Sequence, residues 1–362
     1  MLRNCFLLLT ITFYEIFAYP DTINEYEIRM PGVKTKQDDE YWCYSKKIPD
    51  ETLYITKFEP IFNPAFAHHM ILFTCEKPGT TEHLWKCGEM SDAGTPVCEE
   101  TGFIVFAWAM GAPSFELPKD VSFKVGQGTP NKYFVLQVHY KGAMDQESDV
   151  NDSSGLKLTV QSTPTEKLAG VYTLVSGEDI GPHQTAQLTV ACSYTGKVTL
   201  HPFAFRVHAH EHGVINKGFV SDGKKTYLIG SMSPQAHQTF YPVKNESLEI
   251  NNENIIAAKC IMQNNESRIV RIGNTQDDEM CNFYIMYWVT SENEQQLYDE
   301  NNQVCYTGDT SEILEKFDKL REQIWDNSFS KYFQDLKYIK EDSFLNDDDF
   351  LNGDDLNEPE DF

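Results

Sequence analysis

The chain has 362 residues, and at about 150 residues per domain this suggests two domains. It is 41% hydrophobic and 13% aromatic, enough to bury real cores and to exclude global disorder. The balance of 30 basic against 55 acidic residues, a net charge of -25, argues against a phosphate-backbone binder and against adhesion to anionic lipid, so no nucleic-acid partner is expected.

At the N-terminus, Met1-Leu2-Arg3 precedes an apolar run from Cys5 to Phe13 and then Ile16-Phe17-Ala18. A basic start, a short apolar stretch and a small residue predict a secretory signal over residues 1–18. The run is too short for a transmembrane helix, and no later stretch is apolar enough to supply one. The expected address is the lumen of the secretory pathway, including secretory granules, or the outside, with no membrane span. Of 9 cysteines, Cys5 leaves with the signal. The remaining Cys43, Cys75, Cys87, Cys98, Cys192, Cys260, Cys281 and Cys305 predict four disulfides in an oxidising compartment, with all pairings open. Thiolate metal ligation is the weaker alternative, because no CxxC pair occurs. Sequons at Asn151, Asn245 and Asn265 predict glycosylated surface loops.

Residues 26–305 read as all-β. Short alternating segments such as 133–140, 170–175, 198–210, 226–229 and 283–289 are broken by Gly, Pro, Asn and Asp. This favours sandwiches over βαβ units. Two tandem antiparallel, jelly-roll-like β-sandwiches are expected, over 26–164 and 165–310, divided where Ser162-Thr163-Pro164-Thr165 interrupts the pattern. From 311 to 340, Leu314, Phe317, Leu320, Ile324, Phe329, Phe333 and Leu336 fall near helical spacing and predict a helical extension. Residues 341–362 hold ten acidic and no basic residues, an expected disordered, solvated tail.

Within the β-rich body, His68 and His69 are adjacent in an apolar segment. Neighbours on a regular strand face opposite sides, so the pair can share a metal only if the backbone bends or the rings use different nitrogens. His139 shares a strand face with Val135 and Gln137; alone it reads as a hydrogen-bonded core histidine rather than a ligand. His208 and His210 are two apart and point the same way, a compact two-nitrogen site, with Arg206 on that face. Met280, Asn282, Tyr284 and Met286 share one face of a last strand, where a Met is ordinarily core filler. Imidazoles with a thioether suit copper; zinc competes for the histidines but gains little from the sulfur. An even cysteine set leaves no thiolate for a blue-copper centre.

These segments in this order (Ile28-Arg29-Met30-Pro31-Gly32-Val33; Ala67-His68-His69-Met70; 132–140; 203–210; Tyr241-Pro242-Val243; 278–287) resemble the copper type II, ascorbate-dependent monooxygenases, and among them the peptidylglycine-hydroxylating branch. The likeness spans residues 26–305. It implies a two-copper oxidoreductase that uses ascorbate as reductant and O2 as co-substrate. Its reaction would hydroxylate the α-carbon of a C-terminal glycine, the first step of peptide amidation. His68, His69 and His139 would hold the first copper, and His208, His210 and Met280 the second, catalytic one. Arg206, Asn282 and Tyr284 would grip the carboxylate of a glycine-extended peptide, and Gln137 would order water between the metals. The implied disulfides are Cys43–Cys87, Cys75–Cys98, Cys192–Cys305 and Cys260–Cys281. With no lyase segment in the sequence, a separate peptidyl-α-hydroxyglycine lyase is the expected downstream partner. The alternative is a phenylethylamine hydroxylase of the dopamine β-monooxygenase type, which would lack the carboxylate grip.

Overall fold

A computed structural model describes residues 24–88, 95–100, 102–109, 111–273, 277–299, 303–306 and Ile313. The signal at 1–18, all but Ile313 of the 311–340 extension, and the 341–362 tail lie outside them. The described chain is nearly all β. Its strands are β1 (Asn24–Arg29), β2 (Glu40–Lys47), β3 (Thr52–Ile61), β4 (Ala67–Cys75), β5 (Leu84–Lys86), β6 (Phe103–Ala109), β7 (Phe115–Glu116), β8 (Val121–Gly126), β9 (Tyr133–Tyr140) and β10 (Gly155–Gln161). There follow β11 (Lys167–Ser176), β12 (Gln184–Ser193), β13 (His201–His208), β14 (Gly213–Ser221), β15 (Thr226–Met232), β16 (Tyr241–Pro242), β17 (Ile255–Asn264), β18 (Cys281–Thr290) and β19 (Val304–Tyr306). A 3-10 helix, Ser291–Tyr298, precedes β19.

Three sheets result. One runs β5-β2-β9-β4-β6, another β12-β17-β14-β15, and a long one β1-β10-β3-β8-β11-β18-β13-β16 with β7 and β19 at its side. The long sheet passes from the N-terminal to the C-terminal half where β8 and β11 pair in parallel, Val121 opposite Lys167. The interrupted stretch at 162–166 is the connection from β10 to β11.

The alternation seen in the sequence sorts side chains into two main cores. Phe58, Leu72, Phe106, Leu136 and Leu156 belong to one; Val190, Val220, Ile256 and Leu200 to the other. β18 is buried on both faces and divides between them. Tyr284 and Met286 enter the N-terminal core, while Phe283, Ile285 and Tyr287 enter the C-terminal one. β13 splits likewise, with Ala204 on the first side and Phe205 and Val207 on the second. Because strand side chains alternate with period 2, Arg206, His208 and Asn282 lie on the face turned toward the N-terminal half.

Four disulfides, Cys43–Cys87, Cys75–Cys98, Cys192–Cys305 and Cys260–Cys281, tie strand ends and loops to these sheets. The last joins β17 to the residue after Met280, and limits how far that methionine strays in partly unfolded states. Asn151, Asn245 and Asn265 are exposed.

One close approach gives a stability prediction. Gly218 of β14 faces Gly230 of β15. Behind them lie the stacked rings of Phe283 and Phe205, 5.6 Å apart. A Cβ at Gly218 would sit 2.2 Å from the Phe283 ring, which is wholly buried and has nowhere to go. Gly218→Ala is expected to destabilise the chain by about 1–3 kcal/mol through overpacking. Thermal unfolding checks this; an unchanged Tm contradicts it.

Candidate metal centres

The first cluster is built by pairing β4 with β9. The register sets His69 opposite His139 and Ala67 opposite Tyr140, so His68 is the extra residue of a β-bulge. This is the backbone bend that adjacent histidines need to share one point. Nδ1 of His139 lies 3.3 Å from Nδ1 of His68 and 3.3 Å from Nδ1 of His69. Three nitrogens of one kind thus converge, and all three rings offer atoms within 4.8 Å of one another. Tyr41, opposite His139 on β2, stacks on its ring at 4.3 Å. Asp39 accepts from Nε2 of His139 at 3.0 Å, which fixes the ring and leaves Nδ1 for a metal.

Burial keeps these rings neutral. It holds His69 well below the usual histidine range, with the His139 charge adding to the effect. It pushes His139 down to about 4, helped by His68 and opposed by Asp39. Neutral imidazole is the metal-binding form. This affects the stability of the copper-free chain. Between pH 6.5 and about 4, the unfolded state binds the His139 proton and the folded state does not. Stability is therefore fully present above pH 6.5 and falls as pH drops toward 4. Denaturation midpoints at about pH 7.5 and about pH 5 check this; equal midpoints contradict it.

The second cluster stands on β13 and β18. Arg206 faces Tyr284 and His208 faces Asn282 in the antiparallel register. Two residues after His208 comes His210, and two residues before Asn282 comes Met280. Nδ1 of His208 meets Oε1 of Gln238 at 2.7 Å, and Nδ1 of His210 meets the Asp278 carbonyl at 2.9 Å. Nδ1 of each ring is thus engaged, and Nε2 is the nitrogen left for a metal. Met280 is buried, with its sulfur 3.7 Å from Nδ2 of Asn282. Two imidazoles and a thioether fit copper. His208 is held well below the usual range by burial first and by Arg206 second. The two clusters adjoin: the His69 and His208 ring centroids are 6.0 Å apart.

Arg206 is 3% exposed. It donates to the carbonyl and Oε1 of Gln238, and its guanidinium lies 5.2 Å from the Tyr284 ring centroid. Among the described residues no carboxylate pairs with it. A buried cation with only neutral partners calls for an anion. Asn282 donates to the Tyr284 hydroxyl at 3.3 Å, while its own Oδ1 has no partner. Gln137 lies on β9, two residues before His139. Its amide donates to the Gly88 carbonyl at 3.1 Å, beside the Cys43–Cys87 bridge, and its Oε1 is unpartnered.

Some positioning residues escaped the sequence reading. The wholly buried carboxylate of Glu279 accepts from the main-chain N–H groups of His210, His212 and Met280. One side chain thus holds the backbone of two members of the cluster. Its place beside Met280 was the only available signal. Gln238, which orients both Arg206 and His208, gave none. Ala209, between the two histidines, points away into an apolar cluster with Leu188, Cys260 and Cys281.

Residues 26–147 match the N-terminal domain of the copper type II ascorbate-dependent monooxygenases, and residues 167–318 match the C-terminal domain. The chain belongs to this family. It is 39% identical over 267 residues to peptidyl-glycine alpha-amidating monooxygenase A of Xenopus laevis, covering 73% of this chain and 28% of that one. It is 38% identical over 268 residues to peptidylglycine alpha-amidating monooxygenase of Rattus norvegicus, covering 73% and 26%. Human dopamine beta-hydroxylase is 27% identical over 289 residues, covering 72% and 46%. The chain thus spans between a quarter and a third of the length of these amidating relatives. Both clusters lie inside the matched segments.

Proposed function

We propose that the chain is a two-copper, ascorbate- and O2-dependent monooxygenase that hydroxylates the α-carbon of C-terminal glycine in peptides, the first step of amidation. The observation that carries this reading is Arg206, buried beside the His208–His210–Met280 cluster with no carboxylate paired to it among the described residues. A free α-carboxylate matches the planar fork of a guanidinium. Asn282 and Tyr284 complete the grip, the unpartnered Oδ1 of Asn282 accepting from the peptide. Anchoring the carboxylate fixes the glycine α-carbon next to the second cluster, and positioning of this kind can account for a large share of a rate.

His68, His69 and His139 would hold one copper through Nδ1, and His208 and His210 through Nε2, with Met280, the other. Copper bound there supplies one-electron redox chemistry and the activation of dioxygen. The 6.0 Å approach of His69 to His208 supports one reaction served by both clusters. The hydroxyglycine product would pass to a lyase. The four disulfides fit action in the secretory lumen or outside the cell. No helix among the described residues is long and apolar enough to cross a membrane.

The test is product mass. Copper-loaded protein receives ascorbate, oxygen and one of three substrates: a peptide ending in glycine, its C-terminally amidated twin, or tyramine. Gain of one oxygen atom on the free-acid peptide alone is expected. Oxidation of tyramine instead moves the chain to the amine-hydroxylating branch. No oxidation with both coppers bound overturns the reading.

A further inference from the structure

A second group of ligand-type side chains lies just beyond the catalytic strand, and the reaction above does not use it. His212 precedes β14, and Glu266 follows β17, its partner strand. Nε2 of His212 lies 3.1 Å from Oε1 of Glu266, and Glu211 brings a third ligand atom within 4.8 Å of both. We propose that His212, Glu266 and Glu211 form a third metal site, suited to zinc and distinct from both copper clusters.

Three features support it. First, two ligands of one tetrahedral zinc ion, each about 2.0–2.1 Å from it, stand about 3.3 Å apart, close to the His212–Glu266 separation. Second, His212 is buried and its Nδ1 has no hydrogen-bond partner, yet it faces the buried Glu279 carboxylate at 3.6 Å. A ring with Nδ1 toward a carboxylate and Nε2 toward other anionic ligands has the orientation of a metal-bound histidine. Third, the charge balance favours a cation. Glu211, Glu266 and Glu279 lie about the ring, and among the described residues Arg268 is the cation paired with Glu266. Arg268 holds Oε2 of Glu266 at 2.6 Å and reaches Oε1 at 3.4 Å. Glu211 is exposed, and waters would fill remaining positions.

The site also touches the copper chemistry indirectly. The same Glu279 carboxylate holds the backbone of His210 and Met280. Filling the third site would therefore stiffen the segments that carry both, as a brace.

The experiment uses the full chain with both copper sites already filled, since copper outranks zinc for nitrogen and sulfur ligands and is not displaced. Zinc is then added, and bound zinc and copper are counted after desalting. One zinc per chain with copper unchanged is expected. Glu211→Gln should weaken zinc binding at least about tenfold, and His212→Gln should abolish it. Glu211 is exposed, so its variant decides the matter if His212→Gln fails to fold. Amide exchange at His210, His212 and Met280 should slow on zinc addition. No zinc uptake, uptake matched by copper loss, or equal uptake by Glu211→Gln each overturns the proposal.

Discussion

Arg206→Ala is expected to lower kcat/KM for a glycine-extended peptide by at least about a hundredfold while leaving copper content unchanged. Removing one partner of a buried charge pair loses about 2–5 kcal/mol, and 1.4 kcal/mol is tenfold. Copper should stay because His208 is oriented by Gln238, and that amide keeps its own anchors to the carbonyls of Ala209 and Pro234. Arg206→Lys keeps the charge but loses the planar fork, so it should recover only part of the loss. The comparison with an amidated twin peptide makes the test specific. If Arg206 binds the carboxylate, the preference for free acid over amide should collapse in the variant. A retained preference, or kcat/KM within a few-fold of the parent, would assign Arg206 a packing role instead.

Met280→Ala should leave copper at the first cluster and reduce hydroxylation by more than about a hundredfold, because the second cluster loses its only soft ligand. Alanine also removes buried volume at a side chain 8% exposed, so a loss of activity alone would be ambiguous. Met280→Leu resolves this, since it conserves volume and deletes only the sulfur. Both variants should lose the sulfur contribution to the copper X-ray absorption spectrum. If Met280→Leu turns over at a substantial fraction of the parent rate, the thioether is packing and the ligand assignment fails. The Cys260–Cys281 bridge is untouched in either variant, so the loop keeps its tether.

Much of the β architecture was legible as alternation. Residues 133–140 coincide with β9, and 170–175 and 283–289 fall inside β11 and β18. The strand-face reading of Arg206, His208, Asn282 and Tyr284 also carries over, because period 2 is a local property of extended chain. The His68–His69 pair shows where local reading stops. Alternation put the rings on opposite faces, and only the register of β4 against β9 makes His68 a bulge residue. Glu279 and Gln238 were invisible for a similar reason. Their role is to accept from or donate to groups tens of residues away, and a side chain's sequence neighbours do not disclose such partners. Gln137 shares a strand face with His139, and the Gly88 carbonyl that its amide meets lies 49 residues away, again a partner that no local reading discloses.

The sequence by itself determined the residue types and the faces: imidazoles and a thioether of a kind that suits copper, an arginine on the HxH face, and an even cysteine set. These depend on side-chain chemistry and on a two-residue repeat, both written along the chain. The tertiary structure decided which faces meet. β13 and β18 are buried on both sides, and their even-numbered residues turn toward the N-terminal half rather than into the C-terminal core. That choice follows from the long sheet continuing through β8 and β11. It brings His208 within 6.0 Å of His69 although 139 positions separate them in the chain. Alternation fixes that two faces exist, but only the packing of one sheet against another selects which face looks inward.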